Sequence, residues 1–567
     1  MNSYISGAEA LMQSLIHEGV KTIFGYPGGS IMPVFDAMFD HRDDFRQVLV
    51  RHEQGAAHAA QGYARVSGEV GVCIVTSGPG ATNTITGISD AMLDSTPIVV
   101  IAGQVGASFL GTDAFQEVDF VCVTQPISKW SYQIRRPEDV AWAVARAFYI
   151  ARSGRPGPVV LDFTRNAQVG KVDFAPANIT LQRGFIPVPK TDMSSVEEAV
   201  RLIDNAHRPL LLAGQGITLA DAQDELLAFV EKADIPVGCT LLGLSTIPSA
   251  HRLNMGMLGM HGNLAPNVKT NECDVLIAVG MRFDDRVTGN LATYARQAKI
   301  IHLDIDPAEI NKNVHADVAV LGNCKNTLSL LAEAVKPAKH TDWIASFAPL
   351  YEKEKEMVID AALHPAEGPI KMGEVVSMVS AATHDSAVLV TDVGQNQLMA
   401  ARYFRYTAKR SFVSSGGLGT MGFSLPAAIG ATFGAPERTV CAFMGDGGIQ
   451  MNIQELGTIM ESGAPVKIIL LNNHYLGNVR QWQQLFFNGR YSCTPMMNPH
   501  YGTIAEAYGI PSETVLTRED LPAAIEKMLT TAGPYLLEVV IQEDENVMPM
   551  TPPGGSVNQM MPFDDFS

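Results

Sequence analysis

Residues 438–473 restrict the chain more than any other stretch. Thr439–Met444 is an apolar run of strand length, and it ends in Gly445-Asp446-Gly447-Gly448, whose glycines allow a tight turn. Ile449, Ile453, Leu456 and Met460 then recur at helical spacing, and a second apolar run, Val466–Leu471, ends in Asn472-Asn473. The pattern predicts a βαβ unit with a carboxylate and an amide at the carboxyl ends of its two strands. Ligands of open α/β sheets bind at that edge, and a helix opening on Gly447 and Gly448 offers unpaired N–H groups to an anion there. A hard divalent ion takes a few oxygen ligands and leaves the rest to water or phosphate. Asp446 and Asn473 supply two such oxygens. The residues therefore predict a Mg²⁺–diphosphate site. The plainer alternative is an aspartate capping a helix and an asparagine pair in a turn.

A chain of 567 residues holds about three or four domains of ordinary size. Its net charge of −18, with no basic run, argues against nucleic acid or an anionic membrane surface as main partner. No apolar run reaches the roughly 18 residues of a membrane span. The seven cysteines are odd in number and form no CxxC, which favours a reducing compartment over a disulfide framework. Residues 1–14 show no basic-then-apolar signal pattern. The expectation is a cytoplasmic protein.

Residues 1–180 alternate strands and helices, the mark of a parallel α/β unit. Ser6 and Glu9 predict a capping box, and strands are expected at 22–25, 47–50, 71–76, 98–102 and 159–163. Glu53 directly follows the second of these and precedes an Ala-rich helix. That is the setting of a poorly hydrated carboxyl group, or simply of a helix-start carboxylate. Ser77–Asn83 is a tight turn feeding a helix. In Gly111–Glu117, Phe115 either packs on a ligand or fills a core, and Gln116 is free to donate a hydrogen bond. Residues 181–189 predict a linker. A second unit, 190–340, has expected strands at 209–213, 235–240, 275–280 and 300–305. Gly214 and Gly216 follow its first strand, and Asp304 closes its last, where an acidic residue often bonds ribose hydroxyls. Gly256–Gly262 offers adaptable Met side chains, and Arg282–Val287 offers arginines for phosphate or carboxylate. Together they suggest a nucleotide-type cofactor. Residues 340–368, with the charged run Tyr351–Glu356, predict a solvated helix and linker. A third unit, 369–545, has expected strands at 387–391, 439–444, 466–471 and 535–541, and a Gly-rich loop at Ser415–Gly422. For the tail, 546–567, closure over the site and disorder are equal alternatives.

The combination resembles the acetohydroxyacid synthase (acetolactate synthase) family of thiamine-diphosphate (ThDP) enzymes over nearly the whole chain. Gly-Asp-Gly with Asn-Asn marks only the superfamily. More specific are Arg51–Ala57, Thr76–Thr84, Gly111–Glu117, Gly256–Gly262, Arg282–Asn290, Gly416–Gly422 and Gln481-Trp482-Gln483. The resemblance implies three α/β domains: pyrimidine-binding, FAD-binding and diphosphate-binding. It implies that Asp446, Asn473 and the Tyr475 carbonyl bind Mg²⁺. Glu53 would hydrogen-bond the aminopyrimidine, Gly419 and Met421 would hold the ring, and Gln395 and Asn396 would face the diphosphate. Arg286 would hold the acceptor carboxylate and Trp482 would pack on its alkyl group, with Phe115, Gln116 and Met260 lining the site. Trp482 further suggests a preference for 2-ketobutyrate. FAD would contact Arg155, Gly214, Gly216, Thr240, Leu241, Leu258, His261, Gly280, Arg282 and Asp304, without net redox turnover. The implied reaction decarboxylates pyruvate and joins the remaining two-carbon unit to a second 2-ketoacid. Sites between two subunits are implied, hence a homodimer or tetramer, together with a small regulatory subunit.

The chain departs from the family pattern at three places. Arg165-Asn166 stands where the family commonly has Lys-Asp, which affects a substrate-channel contact. Asn396 replaces a usual His, and Asn323 a common acidic residue near the adenine end of FAD. The alternatives are a pyruvate oxidase-like ThDP enzyme and a non-catalytic regulatory subunit on the same fold.

Overall fold

The computed structural model describes residues 4–179 and 186–563. Positions 181–185 of the expected linker and 564–567 of the tail lie outside the described residues. The first unit contains β1 (Tyr4–Ser6), β2 (Thr22–Gly25), β3 (Arg46–Leu49), β4 (Gly71–Val75), β5 (Ile98–Gln104), β6 (Trp130–Ile134), β7 (Val159–Thr164) and β8 (Lys171–Asp173). Six of these form a parallel sheet in the order β3-β2-β4-β5-β7-β6, and β1 pairs antiparallel with β8. The second unit is a parallel sheet of β9 (Pro209–Ala213), β10 (Val237–Cys239), β11 (Asn254–Met257), β12 (Val275–Val279), β13 (Lys299–Asp304) and β14 (Val318–Leu321), ordered β11-β10-β9-β12-β13-β14. The third is a parallel sheet of β15 (Val388–Thr391), β16 (Phe412–Ser414), β17 (Val440–Gly445), β18 (Val466–Asn472), β19 (Ser512–Val515) and β20 (Tyr535–Val540), ordered β16-β15-β17-β18-β20-β19. Central strands such as β5 and β18 are buried at every position, because helices cover both faces of a parallel sheet.

Counted within each sheet, the first and third units share one strand order, 2-1-3-4-6-5. The second has the order 3-2-1-4-5-6, that of dinucleotide-binding sheets. The order reverses between β2 and β4, between β9 and β12, and between β15 and β17, and the first and third sheets turn back again at their far edges, β7-β6 and β20-β19. A crevice for a ligand opens at the carboxyl ends of such strands. The first and third units also pack directly on each other. A Cβ on Gly62 would lie 1.9 Å from the Ala427 carbonyl oxygen, and one on Gly430 would lie 1.8 Å from that of Ala59. The helices Glu53–Ser67 and Ser424–Gly434 therefore meet backbone to backbone, which only glycine permits.

Several expectations are corrected. Ser6 accepts from the Glu9 N–H at 3.1 Å, but the Glu9 carboxylate turns to Gln13 and His41, so only half of a capping box forms. The helix after Gly445 runs Asp446–Met451, breaks at Asn452 and resumes at Leu456–Ser462, and Met460 is exposed. Asn452 Nδ2 donates to the Gly422 carbonyl at 2.7 Å, which holds the break. The charged run 351–356 is not wholly solvated. Tyr351 Oη donates to the Met255 carbonyl, and Glu354 is buried against Arg402. The tail is ordered through 563. The Asn290 N–H donates to the Gly555 carbonyl and the Thr551 N–H to that of Met260, so the tail closes over the second unit.

Candidate active site

Two cavities lie at the two order reversals that involve the second and third sheets. The smaller opens between β15 and β17. Val393, Gly394, Gln395, Asn396, Met421, Asp446, Gly447, Gly448, Asn473 and Tyr475 line it. Asp446 begins its helix and is 1% exposed, and Asn473 is 4% exposed. Burial holds the Asp446 carboxyl above its ordinary range, offset in part by Asn498, which donates to Oδ2 at 2.7 Å, and by the Gly447 N–H at 3.1 Å. Asn473 Nδ2 donates to Gln395 Oε1 at 3.3 Å. Gln395 Nε2 is itself spent on Gln481 and the Glu545 carbonyl, so Gln395 supports Asn473 from behind. Asn396 Oδ1 is buried without a partner, and a half-turn of that amide would present its NH₂ to an anion. Among the described residues no three His, Cys, Asp or Glu side chains gather as a metal site. The oxygens available here are one carboxylate, one amide and one carbonyl. That set fits a Mg²⁺ ion that takes its other ligands from a diphosphate, and such a cation would relieve the buried Asp446.

The Gly-rich loop is held from two sides. Asp392, at the end of β15, accepts from the Gly422 N–H at 3.0 Å and the Ser424 hydroxyl at 2.9 Å, and so fixes Met421 beside the cavity. From the first unit, Asp90 accepts from the Ser415 and Thr420 hydroxyls, and Asp94 accepts from the Gly416 and Gly417 N–H groups. Arg65 neutralises Asp94 at 2.6 Å, while burial pushes the Asp90 carboxyl up to about 6.

The larger cavity, of about 900 Å³, lies at the reversal between β9 and β12. Arg155, Gly216, Thr240, Leu241, Leu258, Met260, His261, Gly280, Arg282, Arg286, Asp304, Gly419 and Trp482 all line it, as does Asn323. Gly214 is not in the lining; it packs under Gly280, where a Cβ would meet the Gly280 carbonyl at 2.2 Å. Arg155 is fixed by Glu309 at 2.7 Å and Ser95 at 2.8 Å. Burial raises the Asp304 carboxyl to about 6. Burial, with Arg402 and Arg286 nearby, lowers the His261 imidazole to about 3, and its Nδ1 has no partner. A crevice with this strand order, an acidic group at the end of β13 and arginines along its wall fits a dinucleotide such as FAD.

The cavities share Val393, Asn478 and Val479 and so form one continuous site. Asn478 and Val479 escaped the sequence reading. They lie one helical turn before Trp482 on the helix Gly477–Phe486, a signal that spacing from Trp482 carries. Gly477 was missed as well; a Cβ there would fall 2.1 Å from Gln395 Oε1.

Besides Gly214, four expected site residues line neither cavity. Glu53 is half-buried and accepts from Asn83 Nδ2 at 2.9 Å, at the ligand edge of the first sheet. Arg165 is exposed and donates to the Gly29 carbonyl at 2.7 Å. Gln116 lies against Gly78 with φ +61°. Phe115 is 87% exposed, so within this chain it packs neither on a cavity ligand nor in a core. The Glu117 carboxylate explains this: it gathers the N–H groups of Gly111, Thr112 and Ala114, ties the loop in on itself and leaves Phe115 outside.

Sequence comparison decides between the families this geometry allows. Residues 5–123 match the thiamine pyrophosphate enzyme N-terminal TPP binding domain, 196–331 the central domain and 392–539 the C-terminal TPP binding domain. The large subunit of acetolactate synthase isozyme 2 from Escherichia coli is 45% identical over 98% of this chain and 99% of its own. The chain belongs to the acetolactate synthase large-subunit family of thiamine pyrophosphate enzymes. Within that family, a probable acetolactate synthase large subunit of Methanocaldococcus jannaschii is 42% identical over 98% of this chain and 95% of its own. The Lactococcus lactis large subunit is 42% identical over 98% and 96%. Membership sets aside the oxidase and regulatory-subunit readings. The family's cofactors are ThDP, Mg²⁺ and FAD. No helix among the described residues is long and apolar enough to cross a membrane.

Proposed function

We propose that this protein decarboxylates pyruvate and joins the remaining two-carbon unit to pyruvate or 2-ketobutyrate, giving 2-acetolactate or 2-aceto-2-hydroxybutyrate. The observation that carries this reading is the continuity of the two cavities: a diphosphate-type pocket opens, past Val393, Asn478 and Val479, on a wall bearing Arg286, Met260 and Trp482. When bound, ThDP supplies the electron sink that lets a 2-ketoacid lose CO₂. The protein's own groups do the rest. Asp446, Asn473 and the Tyr475 carbonyl would hold Mg²⁺, which takes its other ligands from the diphosphate. Met421 supports the ring. Arg286 is exposed into the cavity, with Nη1 3.5 Å from Met260 Sδ, and pairs the acceptor carboxylate. The tail braces Met260 through the Thr551 N–H. The expected FAD residues that line the large cavity, from Arg155 to Asp304, would contact the flavin cofactor, and Gly214 would act from behind by letting Gly280 pack close.

Glu53 lines neither cavity of its own chain, so a second copy supplies it. Its carboxyl would hydrogen-bond the aminopyrimidine of the bound ThDP. Phe115, Gln116 and Arg165 arrive with it. The units are 1–180 for the pyrimidine, 190–340 for FAD and 369–545 for the diphosphate, with the tail from 546. A homodimer is the least assembly that completes a site, and a small regulatory subunit joins it. The test is product analysis with ThDP, Mg²⁺, FAD and pyruvate. Acetolactate and CO₂ are expected; acetate with oxygen consumption would contradict the reading.

A further inference from the structure

Arg402 and Glu354 form an ion pair that is 1% and 0% exposed. Burying two charges is costly unless each is also hydrogen-bonded; Arg402 Nε has no partner and the guanidinium lies 5.6 Å from the Tyr403 ring centre, while the other hydrogen bonds of the pair go to one short segment. Arg402 Nη1 donates to the carbonyls of His261 at 3.1 Å and Gly262 at 2.8 Å. Glu354 accepts from Asn263 Nδ2 at 3.0 Å and from the Leu264 N–H at 2.8 Å. The pair thus clasps residues 261–264 from both the carbonyl and the N–H side, at the start of the helix Leu264–Thr270. The preceding residues of the same segment, Leu258, Met260 and His261, line the large cavity. Elsewhere the segment is anchored by the Leu258 N–H, which donates to the Cys239 carbonyl at 2.9 Å, by the Asn267 amide, which bonds both backbone groups of Gly259 at 2.8 Å, and through Met260, whose N–H donates to the Arg286 carbonyl and whose carbonyl accepts from Thr551, both at 2.7 Å.

The two charges come from elements distant in sequence from this segment, although Tyr351 of the Glu354 helix also donates to the Met255 carbonyl at 3.0 Å. Glu354 ends the helix Ala348–Glu354, which follows the second sheet. Arg402 lies in the last turn of the helix Gln395–Tyr403, whose first turn carries Gln395 and Asn396 at the diphosphate cavity. One guanidinium fork therefore ties the flavin and acceptor wall to the element that faces the diphosphate.

We propose that the Arg402–Glu354 pair is a positioning device: it sets the segment 258–263 at the height that flavin binding and acceptor selection require. This rests on the acetohydroxyacid reading above. Neither side chain lines a cavity, so both act through Met260 and His261.

The test replaces both charges in the full-length protein, Arg402→Leu with Glu354→Leu, since buried pairs often tolerate apolar replacement. Flavin affinity is read by fluorescence titration, ThDP–Mg²⁺ affinity by titration, and acceptor choice by the ratio of the two acetohydroxyacids at equal substrate concentrations. The flavin Kd is expected to rise about tenfold and the product ratio to fall by roughly threefold, the scale of losing charge-assisted hydrogen bonds. ThDP–Mg²⁺ affinity is expected to stay within about twofold of the parent. A folded double variant with parental flavin affinity and product ratio would overturn the proposal. So would a loss of ThDP affinity in step with that of flavin, since general damage would then explain both. If the double variant does not fold, Arg402→Lys decides. It keeps a charge beside Glu354 but lacks the fork that spans to both carbonyls, so flavin affinity must fall, and an unchanged affinity would overturn the proposal. If the parent makes no acetohydroxyacid, the function reading fails while the flavin titration still judges the pair.

Discussion

Trp482 stands edge-on to Phe486, ring centroids 5.4 Å apart, on the helix face that also presents Asn478 and Val479 to both cavities. Its indole is half-buried and lines the large cavity together with Arg286. One methylene in an apolar pocket is worth about 1–3 kcal/mol. Trp482→Leu is therefore expected to lower the preference for 2-ketobutyrate over pyruvate by roughly tenfold, with pyruvate decarboxylation retained. Competition between the two acceptors, followed by product quantification, checks this; an unchanged ratio would remove Trp482 from acceptor choice. The neighbouring residues work differently. Gln395 is tied to Gln481, Glu545 and Asn473, so its role in the site is to hold Asn473.

At the scale of elements, Glu455 joins the third unit to the strand end that bears Glu53. It is fully buried, accepts from the Arg51 N–H at 3.1 Å and the Thr458 hydroxyl at 2.6 Å, and abuts Gly55. Burial pushes its carboxyl from 4.5 up to about 7, against the hydrogen bonds that favour ionisation. A carboxyl raised in the folded state favours the fold fully below about pH 4.5, and this contribution is lost as the pH climbs through about 7. Glu455→Gln should therefore flatten the fall in Tm between those limits, as read by thermal denaturation across pH. The legibility of elements follows burial in the same way. Strands inside the sheets, such as β5, β17 and β18, read within one or two residues of their ends, because covered faces require unbroken apolar runs. In the three parallel sheets, the strands that the sequence did not disclose are β6, β11, β14, β16 and β19, every one of them at a sheet edge. An edge strand is short or half-wet, and a segment like Trp130–Ile134, buried only at its last residue, carries no such run. Glu354 was read as solvated for a related reason: nothing local in a charged run announces a buried Arg402 some fifty positions on. The tail's placement was equally silent, because the side chains that hold it, Gln481, Asn267 and Asn271, lie far from it in sequence.

For the whole molecule, two units of one topology flank a third of dinucleotide order. The ligand-type residues at the second and third sheet ends converge on one continuous site, whereas those of the first, Glu53, Phe115, Gln116 and Arg165, line neither cavity. The motif residues were legible because strand ends and glycine turns mark them; their proposed division between two chains came from the family resemblance, since the residues themselves do not say which copy faces which. Complementation between two inactive variants tests this arrangement most directly. Glu53→Gln and Asp446→Ala are each expected to be inactive as purified homo-oligomers. After unfolding and refolding together, or on co-expression, hybrid dimers hold one site with both residues intact. Random pairing then predicts acetolactate formation at about a quarter of the parental rate. Hybrids shown to have formed but still inactive would contradict a site built from two chains.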